Sequence, residues 1–205
     1  MDKKALVEFV RTAILHSEAV ADNQKVAHFK RVEQAVVYAF DQLLANIPMS
    51  DDGKTQIEEY YVKHYYNQAV SESNGYRYVG ISDSIVPVGD GKGIWYVQPS
   101  GGGKAFSRLK RPSTALFRSL PIGDAMVETT WRLGNISTNL QIILEDIGES
   151  PTTDIRKVDF GIVRSLGSYS DSEEVRVPNG RIDLLMQMAL TWFGKRFNDL
   201  ANDNQ

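Results

Sequence analysis

The residues best suited to phosphate chemistry are two lysines, Lys92 and Lys104, which lie in glycine-rich runs. A Walker loop has a glycine five residues before its Gly-Lys pair and a serine or threonine directly after the lysine. Lys104 has Gln98 and Ala105 at these positions, and Lys92 also fails at both. We therefore expect no nucleotide site and interpret both runs as exposed hairpin loops.

Other side chains with catalytic or metal-binding chemistry lack the spacing that such sites need. The three histidines, His16, His28 and His64, are far apart, and none has a partner at metal-ligand spacing. The chain has no cysteine, which excludes thiol nucleophiles, zinc knuckles, iron–sulfur clusters and disulfides. Residues 51–53 lack the alternating ligands of a calcium loop, and no Gly-x-Ser-x-Gly elbow is present. We expect a protein that is not an enzyme and has no cofactor or metal site.

A segment of uniform positive charge is the most distinctive feature of the sequence. No acidic residue lies between Asp90 and Asp124, a window that carries six cations: Lys92, Lys104, Arg108, Lys110, Arg111 and Arg118. The second half of the chain supplies carboxylates, among them Asp171, Glu173 and Glu174. A basic segment of this kind attracts phosphates or the carboxylates of a neighbour. Three interpretations stay open: charges balanced within the subunit, a contact between subunits, and a contact with the DNA backbone.

Aromatic residues fall into two groups. Trp192, Phe193 and Phe197 repeat at helical spacing, which is typical of core residues. Trp95 instead lies next to a glycine-rich run. Because tryptophan is prominent among the residues that anchor interfaces, Trp95 is a candidate contact for a partner.

Length and composition match an ordinary globular protein. The chain has 205 residues, of which 42% are hydrophobic and 24% charged, and its net charge is −3. These values predict one large domain, or a core domain with a small addition, and do not single out a nucleic-acid binder.

Glu8 and Arg11 interrupt the first apolar stretch, so no signal peptide is expected. No window approaches the roughly 18 to 20 apolar residues of a membrane span. We expect a soluble chain made in a cytoplasm, with no membrane partner.

Hydrophobic periodicity predicts helices at both ends of the chain. A first helix has one apolar face formed by Leu6, Phe9, Val10, Ala13 and Ile14. A second stripe runs from Val26 to Ile47, with Asp22 or Asn23 as a possible N-cap and Pro48 as the stop. A third stripe follows the run at 178–180 and includes Leu185, Ala189 and Phe193. We expect this last helix to pack on the amino-terminal pair.

The middle of the sequence favours short strands. Residues 55–70 are ambiguous, because Thr55 and Glu58 have capping-box spacing, yet six of the nine tyrosines lie between positions 60 and 78. We interpret this region as β. Further β-prone runs cover 77–81, 93–97, 126–133, 136–144 and 158–165, and Gly134-Asn135 suits a two-residue hairpin turn. They predict a small antiparallel β-sandwich or barrel.

The expected fold class is therefore α+β. An amino-terminal helical hairpin occupies residues 1–48, and a central β domain occupies 49–177. A carboxy-terminal helix with a polar tail occupies 178–205 and forms a helical body with the hairpin.

This order of elements resembles that of head-to-tail connector and tail ring proteins of crAss-like and other short-tailed phages. The segments DKKALVEFVRTAILHSE and VEQAVVYAFDQLL are similar to the amino-terminal helices of phage ring proteins. GDGKGIWYVQP is similar to the β domain of crAss-like phage structural proteins. SYSDSEEVRVPNGRIDLLMQMALTWFGKRF resembles their acidic turn, which leads through a proline into a final amphipathic helix.

The resemblance implies a structural protein of the virion. About twelve copies would form a closed ring at the portal–tail vertex, after assembly in the host cytoplasm. The ring would dock to the portal protein or to adjacent ring proteins and pass DNA through its lumen without specific binding. Interface candidates are Lys104, Arg108, Lys110, Arg111 and Arg118 on the basic side, Asp171, Glu173 and Glu174 on the acidic side, and Trp95.

Two other classes of function stay open. The first is a nucleic-acid-binding module that uses the basic 104–118 loop together with Trp95 and Phe106. Salt-dependent binding to DNA would favour that class. The second is a small hydrolase with a carboxylate pair that spacing does not single out, which would need a ligand-sized pocket lined by two close acids.

Overall fold

Two compact units make up the chain in the computed structural model. The structure describes residues 1–16, 29–47, 59–73, 75–88, 92–108, 128–136, 139–147 and 155–202. One unit holds residues 1–57, 86–89 and 164–205, and the other holds 58–85 and 90–163. The described α-helices belong to the first and the described strands to the second, which confirms the α+β class. Residues 164–177, expected within the central β domain, lie in the unit that contains the helices.

The helical unit is built from α1 (Lys3–His16), α2 (Phe29–Ala45) and α3 (Ile182–Asn202). α3 contacts both α1 and α2, so the last helix packs on the amino-terminal pair as expected. The largest fully buried side chains of this unit include Leu6, Phe40 and Phe193. The proposed N-caps Asp22 and Asn23 lie outside the described residues.

The buried face of α1 differs from the expected one at a single large residue. Leu6, Val7, Val10 and Ile14 are buried, whereas Phe9 is 46% exposed. At about 100° per residue, Val7 lies about 20° beyond the arc that Leu6, Val10 and Ile14 span, whereas Phe9 lies about 60° outside it on the other side. The expectation that Phe9 faces the core was therefore wrong.

The β unit contains two sheets that share one core. Its strands are β1 (Val62–Ala69), β2 (Ser71–Ser73), β3 (Tyr76–Gly80), β4 (Ile94–Pro99), β5 (Ser107–Arg108), β6 (Glu128–Ile136), β7 (Asn139–Ile147) and β8 (Lys157–Val163). One sheet has the order β1-β8-β4 and is antiparallel. The other has the order β2-β3-β7-β6-β5 and is antiparallel except for the parallel pair β5–β6. Val97 and Phe160 of the first sheet pack in one hydrophobic cluster with Trp131 and Ile142 of the second, as in a sandwich.

The ambiguous region at 55–70 is strand over most of its described part. Glu59–Tyr61 form a short 3₁₀ turn, and β1 follows directly. The β interpretation is therefore confirmed for residues 62–69. Residues 55–58 lie outside the described part.

The hairpin turn predicted at Gly134-Asn135 is wrong. Both residues lie inside β6 and pair with β7, and the last register pair joins Ile136 to Asn139. The glycine instead serves close packing, because a Cβ at position 134 would lie 2.6 Å from Cδ1 of Ile143. A glycine inside a strand often marks such a close approach.

A partly buried carboxylate on α2, that of Asp41, fixes the start of a short turn in the helical unit. Asp41 accepts hydrogen bonds from Oγ of Ser165 at 2.5 Å and from the N–H of Leu166 at 3.0 Å. Ser165 is the N-cap of the 3₁₀ turn Leu166–Ser168. Burial raises the pKa of Asp41, and the two hydrogen bonds only partly oppose this rise.

We predict that Asp41→Asn removes one component of the pH dependence of stability. Because the pKa of Asp41 is higher in the folded state, its contribution to the free energy of unfolding is full below the ordinary aspartate pKa. That contribution is lost as the pH rises through the raised value. Urea denaturation from about pH 3 to pH 7 should show the wild type losing stability relative to the variant. Asp183→Asn, at an exposed site on α3, is the control. Parallel curves for wild type and Asp41→Asn would contradict this prediction.

Candidate functional site

The structure describes six of the nine predicted interface residues. Lys104 and Arg108 lie in the β unit, and the guanidinium of Arg108 is 5.8 Å from the ring centroid of Trp131. Trp95 lies on β4 in the same unit. The acidic candidates Asp171, Glu173 and Glu174 lie in the helical unit. Lys110, Arg111 and Arg118 lie outside the described residues.

The acidic turn holds the amino-terminal residues through backbone hydrogen bonds. The N–H groups of Lys3 and Lys4 donate to the carbonyl oxygens of Glu173 and Asp171 at 3.1 and 3.0 Å. The N–H of Val175 donates to the carbonyl of Met1 at 2.7 Å. We call this arrangement of residues 1–4 and 171–175 the terminal clasp.

The acidic side chains of the terminal clasp have cationic partners in the same chain. Glu173 forms an ion pair with Arg164, whose guanidinium stacks 3.7 Å from the ring centroid of Tyr169. Asp171 lies 4.0 Å from Nζ of Lys3.

Two further ion pairs complete this local charge balance. Lys3 is buried, and its Nζ is 2.7 Å from Oε1 of Glu33. Glu174 lies 3.7 Å from Nε of Arg176, with both side chains largely exposed. For the acidic candidates, these contacts favour the interpretation in which charges are balanced within the subunit.

A second group of residues forms an aromatic surface on the three-stranded sheet. Val158, Phe160 and Ile162 of β8 face the core, so the residues between them face the other way. Among these is Gly161, which pairs with His64 of β1 on one side and with Tyr96 of β4 on the other. We define His64, Tyr66 and Tyr96 as the aromatic face.

Gly161 allows the aromatic face to close over the central strand. A Cβ at this position would lie 2.9 Å from Cε1 of Tyr96 and 3.0 Å from Cγ1 of Val62. Because glycine has no Cβ, Nδ1 of His64 and Oη of Tyr96 can approach each other to 3.1 Å. The rings of His64 and Tyr66 stack with centroids 6.2 Å apart.

Carboxylates border the aromatic face at both ends. Oε1 of Glu59 is 3.7 Å from Nε2 of His64, and the Glu59 side chain is 85% exposed. Asp159 is buried and accepts hydrogen bonds from the N–H of Asn67 at 2.8 Å and from Oγ of Ser100 at 2.7 Å. Burial raises the pKa of the Tyr96 hydroxyl, and the neighbouring Tyr66, Asp159 and Glu59 raise it further. One exposed and one buried carboxylate therefore lie beside the aromatic face.

Trp95 and Tyr66 are the exposed aromatic residues of this sheet. The register shifts between Ile94 and Tyr96, so Trp95 is the extra residue of a β-bulge. Bulges re-aim side chains, and Trp95 is 40% exposed while Tyr66 is 60% exposed. The sequence singled out Trp95 but not Tyr66 or His64. The available signal was the i, i+2 spacing of His64 and Tyr66 within a region already interpreted as strand.

Phe106, named with Trp95 as a stacking residue for nucleic acid, packs against the core cluster. Its N–H donates to the carbonyl of Val97 at 2.7 Å, and its own carbonyl accepts from Nε1 of Trp131 at 3.1 Å. Phe106 is therefore part of the sandwich and does not form an open platform for bases.

A third cluster joins Lys63, Tyr65 and Asp83. Oδ2 of Asp83 accepts from Oη of Tyr65 at 2.5 Å and from Nζ of Lys63 at 2.7 Å. Burial and then the carboxylate raise the pKa of Tyr65, and the hydrogen bond to Asp83 raises that of Lys63. Both groups thus hold their protons more tightly, which is opposite to the shift that activates a base or nucleophile. The cluster ties β1 to the loop that contains Asp83.

We predict that Glu173→Ala lowers the free energy of unfolding by about 1 to 2 kcal/mol, because the mostly buried Arg164 loses its partner. The partial exposure of Glu173 keeps this value below that of a fully buried pair. Glu174→Ala, the matched control in the same turn, should change it by about 0.5 kcal/mol or less. Urea denaturation of both variants measures the difference. Equal effects would show that the pair with Arg164 does not anchor the clasp.

We predict that Gly161→Ala destabilises the β unit by about 1 to 3 kcal/mol, because the new methyl group overlaps the ring of Tyr96. Gly80→Ala is the control, since a Cβ there meets nothing within 4 Å. Urea denaturation followed by tyrosine and tryptophan fluorescence reports the change. A stability loss no larger than that of Gly80→Ala would be inconsistent with the close approach.

Among the described residues, no group of three or more His, Asp or Glu side chains is placed to hold a metal ion. The helices of the described part include none long and apolar enough to span a membrane. No protein-family model matches the sequence, and a search of curated proteins finds no match.

Proposed function

We propose that this chain is a structural virion protein that forms a ring of about twelve copies in the portal–tail connector of a tailed phage. The ring docks to the portal or to adjacent ring proteins, lines the DNA channel, and is located at the portal–tail vertex after assembly in the host cytoplasm. Its mechanism is geometric: self-assembly by rotation, docking, and provision of a passage. The proposal starts from the resemblance in element order and is supported by the surfaces described below.

The observation that carries the proposal is the presence of exposed aromatic residues on both units. A ring built by rotation uses heterologous contacts, so each subunit needs two different patches. The helical unit exposes Phe9 on α1 and Tyr38 on α2, whose ring stacks on Trp192 at 6.0 Å between centroids. The β unit exposes Tyr66 and Trp95. Aromatic side chains of this kind are common anchors of protein interfaces.

Charge supports a role in assembly more than a role in holding DNA. A channel should not bind its DNA tightly, because neutralised phosphates would retain it. The net charge of −3 is compatible with that requirement. The alternative, a nucleic-acid-binding module at 104–118, loses Phe106 as an open stacking residue because that side chain packs against the core cluster.

We predict that charge reversal at Arg108, Lys110 and Arg111 weakens assembly while the monomer stays folded. The reversed segment would repel the carboxylates that it contacts in the ring. Analytical ultracentrifugation and cryo-electron microscopy of the purified protein, alone and mixed with portal particles, measure ring formation. Circular dichroism verifies the fold.

The matched control reverses three exposed cations of the helical unit, Lys4, Lys30 and Arg181, which gives the same change in net charge. This control should assemble like the wild type. Normal assembly of the Arg108, Lys110 and Arg111 variant would rule out the basic segment as an interface. A wild-type protein that stays monomeric and binds DNA in a salt-dependent way would overturn the connector proposal in favour of the nucleic-acid module.

A further inference from the structure

The acidic turn at 171–174 is a weaker counterpart for the basic segment than the sequence suggested. The acidic residues at 171–174 were its expected counterpart. In the structure Glu173 pairs with Arg164, Asp171 lies near Lys3, and the backbone of the same turn holds the amino-terminal residues. Drawing Glu173 into an external contact would leave Arg164 without its carboxylate at a site where its side chain is only 10% exposed.

The aromatic face has the chemistry of a cation-binding surface. Cationic side chains are attracted to the faces of aromatic rings, and nearby carboxylates strengthen that attraction. Tyr66 is the most exposed of the large hydrophobic side chains in the described residues. Glu59 lies at one end of the same surface, with its carboxylate 3.7 Å from His64.

The charged side chains around the aromatic face differ between its two ends. Glu59 begins the 3₁₀ turn that leads into β1, and Asp159 lies beside Asn67 near the other end of that strand. Lys157 is on the same side of β8 but pairs with Ala69, at the end farthest from Glu59. An incoming cation is therefore drawn to the Glu59 end, next to His64 and Tyr66.

We propose that the aromatic face and Glu59 of one subunit receive the basic segment at 104–118 from a second copy of this chain. The charge complementarity of the two surfaces supports this occupant, because the segment lies in a window of six cations without an acidic residue. Arginine suits such a site well, since its planar guanidinium stacks on a ring and donates to a carboxylate at the same time. This inference rests on the proposed ring assembly and specifies which surfaces meet in it.

The absence of cysteine makes a direct test possible. Two single-cysteine proteins, Tyr66→Cys and Arg111→Cys, are mixed under mild oxidation. A disulfide between them joins different molecules, because each chain carries one thiol. We expect a cross-linked dimer from this mixture, because a disulfide requires the two Cα atoms to approach within about 7 Å. The control mixture of Tyr76→Cys with Arg111→Cys should give at least about five times less of the dimer. Tyr76 is an exposed tyrosine on the other sheet. Equal yields from the two mixtures would overturn the inference.

A charge exchange tests the same contact without new thiols. Glu59→Lys should weaken self-association about tenfold or more, measured by sedimentation across a range of salt concentrations, because like charges then face each other. Adding Arg111→Glu in the same chain should restore most of the loss. Tyr66→Ala should weaken association as well, whereas Tyr76→Ala should not. Thermal denaturation verifies that each variant is folded.

These outcomes separate the inference from the proposed function. A wild-type protein that forms rings while Glu59→Lys and Tyr66→Ala assemble normally would overturn this interface and leave the ring proposal standing. A wild-type protein that stays monomeric at all concentrations would overturn both. Protection of Tyr66 from chemical modification by a single-stranded oligonucleotide, with no cross-link between subunits, would assign the aromatic face to nucleic acid and overturn the inference.

Discussion

The alternation of side chains along β8 sets the geometry on both sides of the three-stranded sheet. Phe160 faces the core and stacks on Tyr65, with ring centroids 4.8 Å apart. The next residue, Gly161, leaves the space in which His64 and Tyr96 approach each other. Because the period of a strand is two residues, a shift in register would move the glycine into the core and a bulky side chain onto the opposite face. The core and the aromatic face are therefore determined by the same strand.

The described carboxylates mostly serve the fold, and those of the acidic turn do so where contacts with a partner were expected. The acidic turn balances Arg164 and Lys3 and binds the amino-terminal backbone. Asp83 holds Lys63 and Tyr65, and Asp41 holds the turn at Ser165. Partly buried ion pairs and hydrogen bonds cost desolvation, so they persist where each partner is satisfied. The exposed aromatic residues and Glu59 have the stronger case as surfaces for partners.

A connector subunit of the kind we propose needs rigid units and two unlike contact surfaces. The β unit provides a sandwich with a single core, and the helical unit provides three packed helices whose buried faces include Leu6, Phe40 and Phe193. Each unit also carries exposed aromatic residues. Rigid scaffolds suit a geometric function, because a repeated contact fixes the same rotation from one subunit to the next. In this view the basic segment and the aromatic face are the two sides of one repeated contact.

Sequence patterns were enough to predict the fold class, the helical character of both ends and most of the strands. Hydrophobic periodicity depends on local geometry, so an apolar helix face such as that of Val36, Phe40 and Leu44 could be predicted from the spacing of its residues. Tertiary structure alone decided that Phe9 is exposed, that Gly134 lies inside a strand and that Glu173 pairs with Arg164. It also brought His64, Tyr66 and Tyr96 together around Gly161, from strands far apart in the chain. Strand order and register are set by long-range packing, and a composition or a spacing along one segment does not contain that information.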